Sequence, residues 1–170
     1  MLGFNENFPV NIHLSETLTS SLSKRKIQEK IAQVLQGLNR RTFTFEEIGN
    51  PTLPNCTVIF EFGIADGEDF SYFDEEEARK IQQKVAKDNV QVMDWFCSVR
   101  YYKNIKGKRA PLKFDYYMLR MDFDEKGAVE FLIFHERGPR YISPEELVGF
   151  IELKVNQASS RKNLKRPQKD

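Results

Sequence analysis

The chain has 170 residues, 40% hydrophobic, 12% aromatic and 30% charged, which suffices for one folded domain with its own core and is too apolar for a disordered chain. Charges interrupt every apolar stretch well short of the roughly 18 residues of a spanning helix, and the first ten residues carry Asn and Glu where a secretory signal needs a basic start, so the expected setting is cytoplasmic, without a membrane. The net charge of +1 conceals an asymmetry: residues 159–170 hold Arg161, Lys162, Lys165, Arg166 and Lys169 against one acid, leaving the remainder net −3 and excluding a wholly basic nucleic-acid-binding body.

Phe8, Val10, Ile12 and Leu14 recur with period two and predict a first strand over 8–14. Ile27, Ile31, Val34, Leu35 and Leu38 return at helical spacing, which predicts an amphipathic helix over about 21–38, with Arg40 and Arg41 at the negative end of its dipole. Residues 42–48 read as a short strand before a turn segment at 49–55. Residues 56–64, apolar except for Thr57 and Glu61, read as a central strand that Asp66 and Gly67 terminate. Asp74 ahead of Glu75, Glu76 and Glu77 has the form of a capping box, opening a second helix that runs to about Lys87 and buries Ala78, Ile81 and Val85.

From Val90 onward three strand-like runs, 90–102, 112–123 and 129–136, are separated by charged, Gly-containing connections at 103–111 and 124–128, the pattern of an antiparallel meander. Ser143, Pro144 and Glu146 then start a third helix, with Ser as cap, Pro in the first position and Glu closing the box; it buries Leu147, Val148, Ile151 and Val155. The order βαββαβββα gives an α+β fold, a largely antiparallel sheet of about six strands with three amphipathic helices on one face. It divides into a single domain over 1–157 and a flexible basic tail over 158–170. The opposite face would carry Tyr, Trp and Phe in need of cover.

Cys56 and Cys97, the two cysteines, read as reduced, buried strand thiols and not as a disulfide scaffold. Cys97 has neither a histidine nor a cation beside it in sequence to make it a nucleophile. The histidines His13 and His135 fit neither a metal spacing nor a triad, although His135 with Glu136 could serve as an acid/base pair. Seven acids fall within residues 66–77, but the order of an EF-hand loop is absent and helix capping accounts for several of them. There is no Walker A loop, dinucleotide fingerprint, nucleophile elbow or Cys-x-x-Cys. No cofactor is implied.

The most chemically pointed segment is basic and aromatic: Arg100, Tyr101, Tyr102, Lys103, Lys106, Lys108, Arg109 and Lys113 contain no acid, and antiparallel pairing should bring Arg137 and Arg140 near them. Cations beside aromatics suit phosphate contacts with base stacking. These residues and the tail predict a non-catalytic domain contacting the backbone of DNA or RNA. A self-associating, homodimeric assembly module that buries its aromatic sheet face is the alternative, followed by a metal-assisted hydrolase built on Glu61, Asp115, Asp122 and Glu130.

Overall fold

Every second side chain of the long strands is apolar and buried, and that alternation decides where the helices lie. In the computed structural model, which describes residues 1–49 and 53–167, the strands are β1 (Leu14–Ser20), β2 (Thr42–Thr44), β3 (Cys56–Asp66), β4 (Asp69–Tyr72), β5 (Val92–Ile105), β6 (Lys108–Pro111), β7 (Asp115–Phe123), β8 (Ala128–Arg137) and β9 (Leu164–Lys165). The helices are α1 (Lys24–Leu38), α2 (Glu75–Lys87) and α3 (Pro144–Gln157). The strands form one sheet in the order β2-β3-β5-β7-β8-β1-β9, with β4 beside β3 and β6 beside β5, and every pairing is antiparallel. The fold is α+β, as the order of apolar periodicities implies.

One face of this sheet presents Val58, Phe60, Phe62, Trp95, Val99, Leu119, Phe131 and Ile133 to the helices, and all are fully buried. The helices answer with Ile27, Ile31 and Leu35 of α1, Ile81 and Val85 of α2, and Leu147, Phe150 and Ile151 of α3, joined in one cluster. Phe60 stacks on Phe150 at 5.3 Å and Phe73 meets Trp95 edge-on at 4.8 Å. Trp95 therefore belongs to the core and not to the uncovered face.

Local signals explain the helix ends. Ser23 caps α1, Asp74 caps α2 by accepting from the Glu77 amide at 2.9 Å, and Ser143 with Glu146 forms a complete capping box on α3. At α2 the reciprocal half is replaced: the Glu77 carboxylate takes Lys80 at 3.1 Å. Arg40, with φ +62°, leaves the end of α1 and passes its amide to the Phe60 carbonyl.

Four expectations are corrected. The strand expected at 8–14 begins instead at Leu14; Pro9 has no amide to give a ladder, Val10 is 90% exposed, and the His13 amide makes the first bond to β8. Residues 42–48 divide into β2 and one 3₁₀ turn at Phe45–Glu47. The connection expected at 103–111 is largely strand: β5 continues to Ile105 and β6 pairs back onto it. Finally, the tail is not free over its described part. Leu164 is fully buried, β9 pairs with β1, and Asn156 accepts the amides of Asn163 and Leu164 at 2.8 and 2.9 Å. Lys169 and part of the 49–55 turn lie outside the described residues.

Candidate functional site

The face opposite the helices is covered unevenly. Its middle is crossed by residues 1–8, held by the Asp94 amide to the Gly3 carbonyl at 2.7 Å and the Asn5 amide to the Asp94 carboxylate at 2.8 Å. Asp94, fully buried, takes Arg120 in a two-pronged pair at 2.8 and 2.9 Å, and the Arg120 guanidinium lies between the rings of Phe4 and Phe8 at 5.3 and 4.6 Å. To one side of this strap are Asp122 and Glu130, directly opposed across β7 and β8. On the other side the sheet is open.

That open part is aromatic and cationic. Register places Arg137, Tyr116, Ser98 and Glu61 in one row across β8, β7, β5 and β3. The next row is Phe134, Met118 and Phe96, continued by Gly63 and its partner Tyr72. Phe70, Phe96, Tyr116 and Phe114 form a chain of neighbouring rings, with centroids at 5.4, 5.7 and 6.3 Å. Together with Tyr72, Gly63, Glu61, Ser98 and Arg100 they line a groove of ≈ 310 Å³. Gly63 gives its floor room: an added Cβ would stand 3.2 Å from the Ser71 carbonyl oxygen and 3.5 Å from the Phe70 Cβ.

Guanidinium groups sit over these rings. Arg100 is 5.5 Å from the Phe114 centroid, Arg137 is 4.6 Å from Tyr116, Arg109 is 4.3 Å from Tyr102, and Arg40 reaches Tyr72 from the sheet edge at 4.7 Å. Arg137 arrives there by a register shift. Tyr117 pairs with His135 while Tyr116 pairs with Arg137, so Glu136 is the extra residue of a β-bulge, and Arg137 crosses to the face that strict alternation would deny it.

The ten residues expected to form one patch are thereby divided. Arg100, Tyr102, Arg109 and Arg137 share the open face. Tyr101 faces the helices, is fully buried, and donates to Asp115. Lys103 and Lys108 lie on the opposite side of the β5–β6 ribbon from Arg109 by alternation, Lys106 holds the turn with φ +48°, and Lys113 is exposed on the connection into β7. Arg140 serves through its backbone, giving its amide to Asp115. Phe70, Tyr72, Phe96, Phe114, Tyr116 and Arg40 complete the face, and they are scattered over four separate stretches of sequence.

A second polar centre lies at the same end of the sheet but on the helix side. The buried Asp115 carboxylate receives the Tyr101 hydroxyl at 2.5 Å, His135 Nε2 at 2.8 Å, and the Arg140 and Tyr141 amides at 2.6 and 2.9 Å. Gly138, at φ +114°, lets the loop close over it. Burial pushes the Tyr101 and Tyr117 hydroxyls far above their ordinary range, with the Asp115 charge adding to both. His135 thus has Asp115 as its carboxylate, and not Glu136, which is exposed at the bulge.

The thiols are free and buried. Burial raises the Cys97 thiol, with a further push from Asp115, and raises that of Cys56 against the opposing Lys103 charge, so neither is a ready thiolate. Glu61 and Asp115 lie on opposite faces, and among the described residues no group of three or more His, Cys, Asp or Glu side chains could hold a metal ion. No helix of the described chain is long and apolar enough to cross a membrane. No family model, no curated protein and no solved structure matches the chain.

Proposed function

We propose that the open half of the sheet is a non-catalytic binding surface for single-stranded nucleic acid. The observation that carries this reading is the set of guanidinium–aromatic pairs contributed by separate strands to one face: Arg100 with Phe114, Arg109 with Tyr102, and Arg137 with Tyr116. Rings on a sheet offer stacking surface to unpaired bases, worth about 1–3 kcal/mol per base, while guanidinium groups take the phosphates between them. A duplex hides its base faces, so the rings favour a single strand. The described part of the basic tail, to residue 167, is not part of this surface. Its β9 lies at the far edge of the sheet, and Arg166 is paired with Glu16 and Glu152.

The test is fluorescence anisotropy of a labelled octanucleotide between low and moderate salt. Wild-type binding should weaken steeply with salt, and replacing Arg100, Arg109 and Arg137 together by Gln should reduce the log–log salt slope by roughly 2, at about 0.7 per lost phosphate contact on a single strand. Binding that ignores salt, or none at low salt, would remove the proposal.

A further inference from the structure

We infer that the groove between the β3–β4 hairpin and Tyr116 is a guanine-reading pocket, an assignment that rests on the nucleic-acid reading of the face and adds base choice to it. The groove combines three things. Its ring chain from Phe70 through Phe96 to Tyr116 and Phe114 supplies a wall for a flat heterocycle. Its ≈ 310 Å³ has space for one purine, not for a stack of several.

Its polar end is a carboxylate and a guanidinium side by side. Glu61 and Arg100 touch through a single Oε1–Nη2 contact at 3.3 Å, with side chains 25% and 39% exposed. Arg100 Nε is buried with no hydrogen-bond partner. That single contact leaves both groups, which line the groove, with bonding capacity besides the buried Nε, a carboxylate accepting through two oxygens and a guanidinium donating through five N–H groups.

The ligand edge that matches this pair must present two adjacent donors beside two adjacent acceptors. Guanine does so: its N1–H and N2–H suit a carboxylate, and its neighbouring O6 and N7 are the atoms that arginine reads with two parallel bonds. Adenine has no donor pair of this kind, cytosine offers a single amino group, and uracil one imide N–H. Glu61 further disfavours a base that turns a carbonyl toward it, since two acceptors would then face each other without a proton between them.

The experiment compares labelled uridine octamers carrying one central G, one A, one C or no substitution, each titrated with the wild-type chain and with Glu61→Gln. The G-containing octamer should bind about tenfold more tightly than the all-uridine one. Glu61→Gln should abolish that advantage and, because it removes a negative charge beside Arg100, should bind the all-uridine octamer more tightly than wild type, which also shows that the variant is folded. Equal binding of the four octamers, a preference for A or C, or a guanine preference that survives Glu61→Gln would each overturn the assignment and leave the nucleic-acid reading in place. Failure of every octamer to bind would overturn both.

Discussion

The Tyr101 hydroxyl donates to the Asp115 carboxylate at 2.5 Å in a part of the molecule where both residues have lost all contact with solvent. Because His135 and two loop amides converge on the same carboxylate, β5, β7, β8 and the loop into α3 are joined at one charge. Tyr101→Phe removes a donor to a buried anion and should cost about 2 kcal/mol, seen as a fall in melting temperature of roughly 4–8 °C. Asp115→Asn should cost more, because its amide brings two donors to a place where four already point. Urea denaturation of each variant checks this, and a Tyr101→Phe chain as stable as wild type would show that the bond contributes nothing net.

Arg120→Leu leaves the buried Asp94 charge without its partner and should destabilise by about 3–5 kcal/mol. The double change Asp94→Asn with Arg120→Leu should recover part of that loss, since the uncompensated charge is then gone. A double-mutant cycle in denaturant measures the difference; strictly additive losses would mean the two side chains do not act as a pair.

The C-terminal residues should matter to stability despite their composition. Leu164→Ala empties a fully buried site and should cost about 2–5 kcal/mol. Asn156→Ala, which unties the amides of Asn163 and Leu164, should cost about 1–3 kcal/mol. Proteolysis offers a second readout, with cleavage after Lys162 or Lys165 accelerating in both variants.

His13 predicts a pH dependence with a definite sign. Its Nδ1 accepts the His135 amide at 2.9 Å, and its proton affinity is held below the ordinary value of 6.5, first by desolvation and then by the charges of Arg140 and His135. The folded chain thus binds this proton less readily than the unfolded chain. The associated stability is fully present above the ordinary histidine range and is lost as pH falls from there toward the lowered folded value. Denaturation profiles between pH 7.5 and about 5 should fall more steeply for wild type than for His13→Asn; parallel profiles would count against this role.

How much of this was legible in the chain varies with the kind of signal. The first helix announces itself through the helical spacing of Ile27 to Leu38, the other two through Asp74 and the Ser143–Glu146 box, and the meander through apolar runs from Val90 to Glu136, because these are local patterns. The partition of the basic residues was less accessible. Composition could show that Arg100 to Lys113 contains no acid, but which of those side chains share a face depends on β5 running on to Ile105 and on β6 pairing back in register. The aromatic wall is assembled from β4, β5, β7 and the residue before it, so no single window of sequence contains it. The strand expected at residues 8–14 misled because period two describes a side-chain rhythm, and pairing also requires a backbone amide that Pro9 does not have.

The bulge at Glu136 makes pairing register, and not the side chain at 136, the quantity on which the groove depends at β8. Substitution at the exposed Glu136 leaves the count of residues between His135 and Arg137 intact, and with it the geometry on both faces. Loss of the residue would set Arg137 directly after His135, and ordinary alternation would still place it opposite Tyr116 on the open face. Among descendants of this chain, position 136 is therefore open both to exchange of amino acid and to deletion, whereas a register that paired Glu136 itself with Tyr116 would turn Arg137 toward the core beside Asp115.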